Sequence, residues 1–237
     1  MSTLTARDSI VFKSLFDPDA SVAVEPRHAP PVTSLPGMNE QDFLICRSNE
    51  LRILSPLQSG TKERGIIQRA INELSSLIQE SPSYASAYVN RAQARRMLVP
   101  VDDLFTEAYA DSTTQLFSDL KRGIELSESG SESGFPSEHQ KTVLSTAYTH
   151  RGFLLLKLTD LVRGAKTVHG NSGISQAASA ESIEEQASRD FASGGKYGNR
   201  EAQDMAIRTN PYAKMCGAIV REALKKENEE WKAGQIS

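Results

Sequence analysis

A six-residue pattern that occurs twice constrains this chain more than any other feature: AYVNRA at 87–92 returns as AYTHRG at 147–152. Each copy carries Ala, Tyr, a variable residue, a polar side chain, Arg and then a small residue. On a helix Tyr88 and Ala92 share a face, and Ala87 and Val89 flank the ring. An aromatic beside small residues lets a second helix come close, the ring packing across the gap. The segment ASAYVNRAQARRML at 85–98 therefore needs a neighbour.

A second pattern recurs three times with spacings of four and three: Ala70, Leu74, Leu77; Leu116, Leu120, Gly123; Ala187, Phe191, Gly194. An acidic residue precedes each middle member, namely Glu73, Asp119 and Asp190. Two helix types thus alternate, one offering Tyr and a small residue, the other a large residue and a small one. This is the logic of a helix–turn–helix array, in which each unit buries its apolar face against the next. No run alternates clearly enough to be a strand, so the chain from Asp42 onward reads as all-α.

Residues 5–16 form a short amphipathic segment carrying Ile10, Val11, Leu15 and Phe16, stopped by Asp17-Pro18. Pro18, Pro26, Pro30, Pro31 and Pro36 then mark an extended linker with few apolar anchors. The expected organisation is a short N-terminal helix at 1–19, a Pro-rich linker at 20–41, a helical domain at 42–229 and a tail at 230–237. A chain with 38% hydrophobic and 24% charged residues fits a soluble globular protein with some disordered length. A net charge of -3 provides no basic footprint for nucleic acid. No run approaches the roughly 18 apolar residues of a membrane span, and MSTLTARDSIVFKSLF lacks the apolar core of a secretory signal. Cys46 and Cys216 show no CxxC spacing, which suits reduced thiols in the cytoplasm or nucleus.

PSYASAYVNRAQARRML at 82–98 resembles the opening of a tetratricopeptide repeat, whose period is about 34 residues. Repeats are assigned to 51–84, 85–130 and 145–198, with a capping helix at 212–229. The first keeps the ordinary distance between its helices, from Leu54 to Leu74. The second and third are lengthened by inserts at 99–115 and 164–182, which loops can absorb at slowly growing entropic cost. NRAQARR at 90–96, RDFASGGKYGNREAQ at 189–203, NPYAKMC at 210–216 and SLFDPD at 14–19 together resemble the tetratricopeptide repeat protein 36 family. The likeness covers about residues 9–19 and 50–225, and departs in the two inserts and in SESGSESGFPSE at 127–138. That serine-rich run reads as a disordered spacer or a phosphorylated segment. The resemblance implies a right-handed superhelical array of about three helix–turn–helix repeats with a C-terminal capping helix. It also implies a role in tyrosine metabolism, through binding and protecting an enzyme of that pathway.

No catalytic, metal or cofactor site emerges, so the chain does not read as an enzyme. Gly195-Lys196 mimics a phosphate loop, but Asp190 stands where the first glycine belongs and Tyr197 where Ser or Thr does. GNSG at 170–173 is followed by Ile174, which breaks the nucleophile-elbow pattern. His28, His139, His150 and His169 have no metal-ligand spacing and are expected on exposed or helix-surface positions.

Recognition of another protein is the remaining class. In the resembled family the first helix of each repeat lines the concave face, where a helix or extended peptide binds. The candidate groove residues are Ser86, Asn90, Gln93 and Arg96 in one repeat and Thr149, His150, Phe153 and Lys157 in the next. Asn90 can donate to a carboxylate and accept from a backbone N–H; it and Arg91 could equally solvate the helix or bond its neighbour. Arg95 and Arg96 are expected to be solvated. A heat-shock chaperone is the alternative partner to a tyrosine-catabolic enzyme. The clamp that grips chaperone tails is nevertheless mostly missing: Asn90 matches its amide, but Ser55, Ser59, Thr146 and His150 stand where other clamp residues belong. A neutral imidazole cannot replace a guanidinium fork.

Overall fold

The computed structural model describes residues 35, 37–58, 61–129, 136–174 and 178–234. The expected N-terminal helix and most of the linker fall outside these residues, as do 130–135, 175–177 and the end of the tail. The described residues form eight α-helices: α1 Glu40–Gln58, α2 Arg64–Glu80, α3 Ala85–Leu98, α4 Ala110–Glu128, α5 Glu138–Arg163, α6 Ala180–Lys196, α7 Arg200–Thr209 and α8 Pro211–Gly234. They contain no β-strand, only an isolated bridge between Leu35 and Met38, so the all-α reading holds for them.

Local chemistry explains where the helices start. Ser137 and Gln140 close a reciprocal capping box at the head of α5. Ser179 accepts from the Ser182 N–H at the head of α6, and Asn199 from the Ala202 N–H at the head of α7. Asn210 ends α7 and accepts from the Tyr212 N–H, while Pro211 occupies the first turn of α8, where its missing N–H is harmless.

Each helix packs on the next in chain order, and α3 also touches α5. In α2 the buried residues Ile67, Ala70, Ile71, Leu74, Leu77 and Ile78 follow a helical stripe. The third helix differs. Its small residues are buried on several sides: Ala87 joins the cluster around Phe43, Leu74 and Tyr84, Ala94 joins Ile67 and Ile71, and Ala85, Val89 and Ala92 join the main cluster with Leu120, Leu144 and Phe191. Larger side chains there would hold the neighbouring helices apart. A Cβ on Gly123 of α4 would lie 2.5 Å from Val89 Cγ2, so the glycine is what lets α3 and α4 approach.

The first insert is more structured than a loop. It contains two short 3-10 turns, Val101–Asp103 and Glu107–Tyr109, and its last residues already belong to α4. Leu104 and Phe105, 1% and 2% exposed, enter the main core. The second insert runs back to it: the His169 N–H donates to the Phe105 carbonyl (2.8 Å) and the Asn171 N–H to Thr114 Oγ1 (2.8 Å). Gly170 between them has φ +90 and lies against the Ala110 carbonyl and Thr113, a conformation and a space that suit glycine alone.

Candidate functional site

The two copies of the Ala-Tyr pattern build the same polar assembly. In α3 the Arg91 guanidinium lies over the Tyr88 ring and donates to both oxygens of Asp119 on α4, at 3.0 and 2.6 Å. In α5 Arg151 lies over Tyr148 and donates to both oxygens of Asp190 on α6, at 2.7 and 2.7 Å. Asp119 and Asp190 are buried, and such carboxylates need bidentate partners to offset lost hydration. Burial would lower the Arg151 guanidinium, but Asp190 outweighs it and leaves the cation held above its ordinary range. Arg95 shares Asp119 at 2.7 Å, so it is an ion-paired, half-buried residue and not the solvated one expected. These arginines tie helices together and are occupied.

On the same helices a different set of side chains stays available. A recess of about 370 Å³ is lined by Gln93 and Arg96 of α3, Thr146, Thr149, His150 and Phe153 of α5, and Asn199 between α6 and α7. Five of the eight candidate groove residues, Gln93, Arg96, Thr149, His150 and Phe153, thus meet in one place. The other three do not. Ser86 is buried and accepts from Asn90 Nδ2 at 3.2 Å, and Asn90 also donates to Glu50 Oε1 at 2.7 Å. Lys157 pairs with Asp102 of the first insert at 2.6 Å, and that bond holds the Asp102 carboxyl below its usual range.

The recess has a definite character. Arg96 is half-buried and donates to the Val99 carbonyl at 2.7 Å, and it forms no ion pair among the described residues. Burial lowers its guanidinium, since no carboxylate offsets the lost hydration. Burial first, and the Arg96 charge second, push the His150 imidazole down to about 4. His150 is therefore neutral near pH 7, and its buried Nδ1 has no hydrogen-bond partner. Phe153, 37% exposed, sits edge-on to Phe191 with centroids 5.0 Å apart. The Thr149 hydroxyl donates to the Ser145 carbonyl. No acidic side chain lines the recess.

A second polar cluster stands at the other end of α3. Glu50, 5% exposed, accepts from the Tyr84 hydroxyl at 2.8 Å and from Asn90. His139 stacks on Tyr84 (5.9 Å) and meets Phe43 edge-on (5.1 Å); burial, then the Arg47 charge, lower it to about 4. His139 and His150 both lie on α5 at intermediate exposure with largely desolvated rings; His28 lies outside the described residues. Sequence reasoning missed Glu50 and Asn199. Asn199 had a signal, an Asn directly ahead of a helical run, but Glu50 had none, because its partners lie far along the chain. No His/Cys/Asp/Glu cluster able to hold a metal occurs among the described residues, and no helix among them is long and apolar enough to cross a membrane.

Helices stacked in chain order, with paired charges between them and a recess beside α3 and α5, define an all-α protein with a candidate binding face. The comparisons give the family. The chain is 41% identical to the L-tyrosine degradation gene cluster protein hmgX of Aspergillus fumigatus, over 96% of this chain and 94% of that protein. It is 24% identical to tetratricopeptide repeat protein 36 of Danio rerio, over 94% of both chains. The chain belongs to the tetratricopeptide repeat protein 36 family. No protein-family model matches it, and no solved structure matches it significantly.

Proposed function

We propose that this chain is a non-catalytic adaptor that binds a partner protein and stabilises or sequesters it in the service of tyrosine metabolism. In this reading its helices form a right-handed superhelical array of three tetratricopeptide repeats, capped at the C-terminus, and it acts in the cytoplasm or nucleus. The observation that carries the binding role is the recess itself: side chains from α3, α5 and the α6–α7 junction converge there around Arg96, which has no counter-ion among the described residues. The tyrosine association is supported by the hmgX relative, whose name places it in an L-tyrosine degradation gene cluster. Recruitment of a heat-shock chaperone by its acidic tail is the weaker reading, because Arg96 is the single cation lining the recess.

Site-specific photo-crosslinking tests the adaptor reading. A benzoylphenylalanine at Gln93, inside the recess, is compared with one at Lys121, whose side chain is 72% exposed on α4. The expected result is one protein captured from position 93 and not from 121 in cells grown on tyrosine. Equal capture from both positions, or none from 93, overturns the groove as the binding face.

A further inference from the structure

We propose that the recess is a carboxylate site, taking a monocarboxylate that carries an apolar or aromatic group and no ammonium. The proposal deepens the groove reading above and rests on it for the recess being the binding face.

The charges decide the sign of the ligand. Of the five arginines on α3 and α5, four have carboxylates: Arg91 and Arg95 share Asp119, Arg151 has Asp190 and Arg163 has Glu184. Arg96 alone has none among the described residues, and it is the one that faces the recess. A half-buried cation without a counter-ion is the situation that an incoming anion relieves. With no acidic side chain in the lining, an ammonium group would find no partner and would be repelled by Arg96.

The neutral donors favour a planar carboxylate. Asn199 Oδ1 is fixed by the Ala202 N–H, which leaves its amide NH2 as the free end. Gln93 makes no side-chain hydrogen bond among the described residues. A guanidinium can grip a carboxylate through two parallel N–H bonds while amides take the remaining lone pairs. The apolar requirement comes from Phe153, held edge-on by Phe191 and open to the recess. The size, about 370 Å³, lies at the low end for small-ligand sites and admits one such group.

Two sources share this chemistry: a free arylalkyl carboxylate, and the C-terminal apolar residue of a partner chain. NMR titration of the full-length protein separates them, with 4-hydroxyphenylacetate and N-acetyl-glycyl-phenylalanine as probes. The amide of each probe, L-tyrosine and inorganic phosphate are the controls. At least one carboxylate probe should shift the Gln93 and Asn199 side-chain amides saturably, with its amide and L-tyrosine at least tenfold weaker. The tighter of the two probes identifies the source. Arg96→Gln should weaken that probe at least tenfold, and Gln93→Glu, which places a competing carboxylate three residues before Arg96 on the same helix, should do the same. Undiminished thermal midpoints and amide spectra exclude unfolding as the cause. Binding of the amides or of phosphate equal to that of the carboxylates overturns the proposal, as does the absence of saturable shifts with every probe. Crosslinking from position 93 that persists in Arg96→Gln removes the partner C-terminus as the source and leaves the adaptor reading intact; loss of crosslinking in the wild type removes the groove reading itself.

Discussion

The pairing of α1 with α2 and the pairing of α5 with α6 use the same sequence ingredients to different effect. Both second helices place an acidic residue just before their central apolar one, Glu73 before Leu74 and Asp190 before Phe191. Asp190 is 1% exposed and receives a bidentate guanidinium from the partner helix. Glu73 meets Arg52 at 2.9 Å where the arginine side chain is 66% exposed. A solvated pair contributes little, whereas a buried pair contributes little only while both halves are present. The buried carboxylate of the first pair, Glu50, is spent instead on Tyr84 and Asn90 of the following helix region. The later pair is therefore locked internally, and the first is locked to its successor.

The sharpest way to break this comparison is to remove the acids in turn. Asp190→Ala leaves Arg151 buried without its counter-ion and should destabilise the protein by about 3–5 kcal/mol in urea denaturation. A loss no greater than that of Glu73→Ala would abolish the distinction. Close approach comes next. Gly123→Ala drives a methyl to 2.5 Å from Val89 Cγ2 and should lower stability by about 1–3 kcal/mol. The double variant with Val89→Ala should recover part of that loss, and additivity of the two would show that the contact is not the cause.

A pH scan addresses the desolvated histidines. Folding lowers His139 and His150 from the ordinary 6.5 to about 4, so between these values the unfolded chain binds more protons. Their contribution is complete above about pH 6.5 and is lost as pH falls towards 4, on the order of 1–3 kcal/mol each. His150→Gln should flatten the fall in thermal midpoint across that window; an unchanged slope would show that His150 is not desolvated in solution. Smallest of all is Glu73→Ala, expected to change stability by less than about 1 kcal/mol, and less still in high salt.

Much of the fold was legible because it follows local rules. The helical stripe of α2, the small faces of α3 and the Asn-Pro break before α8 are patterns over a few residues. The repeated Tyr and Arg also had a local signature, although only the structure shows each guanidinium held between a ring and a carboxylate. Long-range placement was not legible. Leu104 and Phe105 sit in a segment whose Pro, Asp and Thr suggest a surface loop, yet both are core residues. Asn90 was legible as a position matching the resembled motif, but its hydrogen bond to Glu50, forty residues earlier, was not. The recess was partly legible, since Gln93 and Arg96 lie three apart on one helix and Thr149, His150 and Phe153 lie along another. Which polar ends stay unpaired depends on which acids fold nearby, and no spacing records that.

The bonds that the first insert makes to α5 and to the second insert bear on how the chain folds. A stack in which each helix meets only its neighbours can unravel from either end, one unit at a time. Here Asp102 is tied to Lys157, Phe105 to His169 and Thr114 to Asn171, contacts that skip more than fifty residues of chain. Such distant contacts form late, after the helices between them are in place. Once formed, they join α3 to α6 into one cooperative block, so hydrogen exchange there should report a single opening event rather than a gradient along the stack.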